Sequence, residues 1–202
     1  MPRFDKLEFG AEEERPSVRS ESISADEPQW MQRADQSRRR GLYEEALKFY
    51  SRALEDDRSL VAGWLGQVQM LIHLDEPEEA ELWSRKALEL FPGNGDLMAG
   101  RAQAFCRIGE LAQAHALSDG ALQQSGQSAY RWIVRGELMV AGKQSVDQHC
   151  FDKARQLDSD WLVSLEIALI YLYYDTPSPA LIHARRAVHS APHQHYPWYI
   201  QG

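Results

Sequence analysis

Four histidines, His183, His189, His193 and His195, crowd the C-terminal end of the chain and are its most conspicuous set of possible metal ligands. A zinc site needs three or four such ligands converging in tetrahedral geometry, and no HExxH or paired CxxC spacing enforces that here. They are expected to be surface histidines of a terminal loop. The carboxylate pairs Glu44-Glu45 and Glu78-Glu79 could suggest acid–base chemistry. Each precedes an apolar-periodic run, so the pairs fit the first turn of a helix, where acidic groups favour the helix dipole. The segment Pro92-Gly93-Asn94-Gly95 has the wrong spacing for a phosphate-binding loop and reads as a turn. No nucleophile elbow or aligned Ser/His/Asp set is present. The expectation is no enzymatic activity, no cofactor and no metal.

Charge narrows the partner class. With 22 Lys and Arg against 30 Asp and Glu, the formal charge is −8, which opposes nucleic-acid binding. The only basic run, Arg38-Arg39-Arg40, fits a solvated helix terminus. The longest apolar stretch runs from Trp161 to Tyr174 and contains Glu166, too short for a span of roughly 20 residues. Met1 to Gly10 lacks the apolar core of a secretory signal. The two cysteines, Cys106 and Cys150, form no CxxC box and suit a reducing compartment. A soluble, cytoplasmic protein without direct membrane insertion is expected.

The elements that carry these residues announce themselves by periodicity. Trp30, Trp64 and Trp132 fall on a grid of about 34 residues, with Met98 in the missing slot. Ala46, Ala80 and Ala114 repeat the interval, as do Ala53, Ala87 and Ala121. Around these positions the chain resembles the tetratricopeptide-repeat family, most closely in Gly41, Tyr43, Ala46, Tyr50 and Ala53, and again through Glu78 to Ala80, Ala87, Leu88 and Pro92. A third match runs through Ala102, Phe105, Gly109, Ala114 and Ala121. The resemblance implies an all-α fold, an α-solenoid of tetratricopeptide-type helix-turn-helix repeats. Five hairpins are expected at 27–60, 61–94, 95–128, 129–160 and 161–194, followed by a truncated C-terminal helix or cap at 195–202.

Antiparallel helices packed 8–10 Å apart need small residues where their axes approach. Ala34, Ala102, Gly136 and Ala168 supply them on first helices, and Ala46, Ala80, Ala114 and Ala180 on second helices. The second repeat has Val68 at this place with Gly66 nearby, predicting a shifted contact. The fourth offers Asp147 or Gln148. Spacings of Ala121, Ala154 and Ala187 place one missing residue near Gly142-Lys143 and another near Ser159.

In the family the first helix of each hairpin lines a concave groove. Carried over, the resemblance implies partner-facing positions at Met31, Asp35, Arg38 and Arg39, then Leu65, Gln69 and His73, then Gln103 and Arg107. Tyr130, Ile133 and Glu137 follow from the fourth hairpin, and Leu165, Leu169 and Tyr173 from the fifth. The clamp with which some family members grip chaperone tails is absent, since Met31, Asp35, Gly66, Asp96 and Gly100 occupy its positions. The helix from Trp161 is apolar nearly all round and is expected to be buried on all sides.

Residues 1–26 are polar and carry an expected flexible tail with a short docking motif, Phe4, Leu7 and Phe9. Trp198 and Tyr199 mark an exposed end. Stacking along one axis is expected to separate the first hairpin from the last. The function expected is a non-catalytic scaffold or adaptor that binds one or more proteins through its groove and ends, with homo-oligomerisation possible. The alternatives are a chaperone for a secreted or unstable client and a regulatory subunit of an enzyme.

Overall fold

The computed structural model describes residues 27–202, and Phe4, Leu7 and Phe9 lie outside the described residues. Eleven helices follow one another, with no strand among the described residues: α1 Glu27–Arg39, α2 Tyr43–Asp56, α3 Val61–His73, α4 Pro77–Leu90, α5 Gly95–Ile108, α6 Leu111–Gln123, α7 Ala129–Ala141, α8 Asp147–Leu157, α9 Trp161–Tyr173, α10 Pro177–Ser190 and α11 His195–Gln201. Consecutive helices pair as antiparallel hairpins, α1 with α2 through α9 with α10, and α11 packs on α9 and α10.

Local chemistry sets the boundaries. Asn94, Ser128 and Asp160 cap α5, α7 and α9 by accepting first-turn backbone N–H groups. Pro77 and Pro177 open α4 and α10, where a missing N–H costs nothing. Gly109 closes α5 at φ +95°, a left-handed conformation that glycine adopts freely.

Alanines hold the hairpins together. Ala34, Ala46, Ala80, Ala102, Ala114 and Ala168 are completely buried, so any larger side chain there must displace a helix. Gly66 of α3 instead receives the ring of Tyr50 from α2, a close approach between the first and second hairpins, while Val68 is fully buried beside Gly100. The fourth repeat takes another route. Helix α8 begins only at Asp147, after a turn at 142–146, so the crossing passes to Gly136, which receives the ring of Phe151. A Cβ at Gly136 would collide with that ring.

The stack does not separate its ends. Tyr196 of α11 packs over Gly41, and its hydroxyl meets that of Tyr43 at 2.9 Å. Arg39 at the end of α1 reaches Asp160 at the start of α9, and Arg38 reaches Glu166. The superhelix therefore turns far enough in five hairpins for its first hairpin to touch its fifth. The rotation between neighbouring hairpins, summed along the chain, overrides the expectation of distant ends. Helix α9 also departs from all-round burial: Leu172 and Tyr173 are 42% and 44% exposed, and its one acid, Glu166, faces the first hairpin.

Candidate functional site

First helices α1, α3, α5, α7 and α9 surround a lumen of about 390 Å³. Of the positions implied by the groove, Asp35, Arg38, Arg39, Leu65, Gln69, His73, Gln103, Tyr130 and Ile133 line it. Met31 packs against the first core cluster, Leu165 is fully buried, and Leu169 packs among residues of the last repeats. Tyr173 lies outside the lumen with the Arg107 guanidinium 3.5 Å from its ring centroid.

Many of the polar groups of the lumen engage one another. Arg38 Nη2 donates to Glu166 Oε1 at 3.1 Å, and His73 Nε2 lies 2.9 Å from Glu166 Oε2. Burial pushes the Glu166 carboxyl up, but His73 and Arg38 outweigh it and hold the group down at about 2. Arg39 grips Asp160 with both Nη atoms, at 3.2 and 2.6 Å, and its guanidinium stands 5.6 Å from the Trp161 ring centroid. Asp160 in turn caps α9, so one carboxylate both starts a helix and fastens the two ends of the chain.

A second network crosses the third and fourth hairpins. Tyr130 Oη donates to Gln103 Oε1 at 2.6 Å, and Gln103 Nε2 donates to Glu137 Oε2 at 2.6 Å. Arg107 Nε donates to the other Glu137 oxygen, with Glu137 wholly buried. Burial first, and then the Glu137 charge, raise the Cys106 thiol to about 12, so this cysteine is an inert, buried thiol. Asp96 accepts from Ser128 Oγ at 2.6 Å and from Arg131 Nε at 2.9 Å, tying α5 to α7.

Sequence reading missed Glu166, Asp96 and Asp160 as lumen residues. A lone carboxylate inside the apolar run Trp161 to Tyr174 was the available signal for Glu166, because burying an acid there demands a cation. Asp96 and Asp160 each stand one or two residues from a helix start and look like ordinary cap chemistry. One of the four C-terminal histidines requires correction, whereas His189, His193 and His195 are exposed. His183 is buried, 1% exposed, with its ring stacked on Tyr171, because α10 turns it into the hairpin instead of outward. Burial, then the charges of Arg155 and Arg186, lower it to about 4 and keep it neutral. Among the described residues, no group of three His, Cys, Asp or Glu side chains could hold a metal ion, and no helix is long and apolar enough to cross a membrane.

By sequence, the chain matches no protein-family model and no curated protein. By structure it is similar to TTC0263, a thermophilic tetratricopeptide-repeat protein of Thermus thermophilus, with a TM-score of 0.64 at 17% identity over 86% of this chain and 95% of that one. The chain has the tetratricopeptide-repeat fold. PilF of Pseudomonas aeruginosa is similar over 88% of this chain and 82% of its own, with a TM-score of 0.53 at 18% identity. The Cut9–Hcn1 hetero-tetramer of the APC/C matches with a TM-score of 0.54 at 17% identity, over 87% of this chain but 35% of that one. In the present tetratricopeptide array, the first helices spend much of their polar surface on contacts within the array itself.

Proposed function

We propose that this chain is a non-catalytic scaffold that holds partner proteins at the seam between its first hairpin and its last helix. The observation that carries the reading is the exposure of Tyr199, 80%, and Leu42, 43%, on either side of that seam. Tyr196, one helical turn before Tyr199, fastens onto Gly41, one residue before Leu42. Exposed apolar groups that flank an intramolecular junction form a contact surface spanning both ends of the chain. Trp198, half exposed at the neighbouring position, extends it.

The lumen supports this choice, because Arg38, Gln103 and Tyr130 already bond to groups of the array itself. Assembly into larger complexes also fits the resemblance to Cut9, whose structure is described as a hetero-tetramer with Hcn1. Two free, buried cysteines agree with a cytoplasmic setting.

The experiment compares proteins that co-purify with the tagged full chain and with a Leu42→Asp, Tyr199→Asp variant. The variant is expected to keep its helical circular dichroism and melting temperature while losing its partners. An unchanged set of partners would place the contact surface away from the seam.

A further inference from the structure

The fourth residue of each first helix, and of α11, is one equivalent position in every hairpin: Trp30, Trp64, Met98, Trp132, Ser164 and Trp198. Only in the fifth hairpin is that residue small. The tenth residue of the second helix is basic in the first, second and fifth hairpins, as Arg52, Lys86 and Arg186. In the first two it covers an aromatic ring, with Arg52 at 5.5 Å from the Trp30 centroid and Lys86 at 4.5 Å from that of Trp83, which packs on Trp64. In the fifth hairpin no ring lies beneath Arg186 among the described residues, and Ser164 stands at the position that Trp30 holds in the first.

A cavity of about 390 Å³ opens where that indole would stand, between the end of α8, the start of α9 and the end of α10. Its lining includes Arg155, Ser159, Ser164, Arg185, Arg186 and His189. Neither Arg185 nor Arg186 forms an ion pair among the described residues, and Arg155 pairs only with the exposed Asp152 three positions earlier. Two acids, Asp158 and Asp160, also line it; Asp160 holds Arg39, and Asp158 accepts the Asp160 backbone N–H at 2.9 Å. Three arginines against two acids, one of them paired with Arg39, leave this corner basic in a chain whose formal charge is −8. Burial and the Arg186 charge lower the Arg155 guanidinium from its ordinary value.

We propose that this cavity binds a phosphoryl group, carried by a phosphorylated side chain of a partner protein or by a free small phosphate. Planar guanidinium forks match phosphoryl oxygens in pairs, and serine hydroxyls can donate to the remaining oxygen. A dianion would also relieve the repulsion between Arg155 and Arg186. The volume lies at the small end of ligand pockets, suited to one modified side chain and not to a nucleic acid. The inference is tested independently of the seam reading, since its variants change none of Leu42, Trp198 or Tyr199.

The test titrates the full chain, by calorimetry and by NMR, with inorganic phosphate, O-phosphoserine, and a serine peptide with and without its phosphate. Saturable binding at millimolar or lower concentration is expected for the phosphorylated ligands, with no binding of the plain peptide. Arg185→Gln, Arg186→Gln should weaken it about tenfold or more, since each lost charged hydrogen bond counts for about that factor. Ser164→Trp, which places there the residue type of the first, second and fourth hairpins, should abolish it. The arginine pair is exposed, so that variant remains informative even if Ser164→Trp folds poorly. Tighter binding of the phosphopeptide than of inorganic phosphate identifies a partner protein as the source, and equal binding identifies a free phosphate. Absence of saturable binding up to about 10 mM, or binding unaltered in the arginine variant, overturns the proposal.

Discussion

Arg38 donates to Glu166 at 3.1 Å across 128 positions of sequence, and His73 shares the same carboxylate. Three hairpins, the first, second and fifth, therefore meet on one acid. With Arg39–Asp160 and Tyr43–Tyr196 it forms the seam that holds the array closed.

Removing the Glu166 charge should loosen this closure without unfolding the hairpins, whose alanine contacts lie elsewhere. Glu166→Gln combined with Asp160→Asn is expected to enlarge the radius of gyration measured by small-angle X-ray scattering, with helix content unchanged. Identical scattering from the variant and the wild type would show that the seam is held by apolar packing around Tyr196 instead.

The buried pair Arg107–Glu137 should behave differently. Arg107→Met leaves the wholly buried Glu137 carboxyl without its cation and is expected to cost about 3–5 kcal/mol. The double variant Arg107→Met, Glu137→Leu removes both charges and should recover much of that loss. Chemical denaturation of the two proteins measures it, and a double variant less stable than the single one contradicts the reading.

Acid should weaken the fold in two stages. His183 is held neutral, lowered to about 4 from 6.5, so between those values the unfolded chain binds the proton and stability falls as pH falls. Glu166 is lowered to about 2 from 4.5, so its contribution is complete above pH 4.5 and disappears as pH falls toward 2. Melting temperatures across a pH range of about 7 to 3 should show the first stage flattened in His183→Phe and the second in Glu166→Gln. A His183→Phe protein that keeps the full slope between 6.5 and 4 would assign that stage to another group.

The sequence by itself determined the hairpins. Alanine and tryptophan intervals encode them because each hairpin must solve the same packing problem, and Ala46, Ala80 and Ala114 solve it identically. The irregularities were less legible: only the structure revealed that Tyr50 of the preceding hairpin fills the cleft at Gly66 and that Phe151 fills the one at Gly136. The seam, the lumen and the basic cavity were decided by tertiary structure. Arg38 and Glu166 belong to hairpins that share no local interaction, and whether they meet depends on small rotations between neighbours accumulated over the whole stack. A repeat pattern specifies each neighbour contact but carries no term for that sum. Arg38 and Arg39 consequently read as a solvated helix end, and in the folded chain they fasten its first hairpin to its fifth.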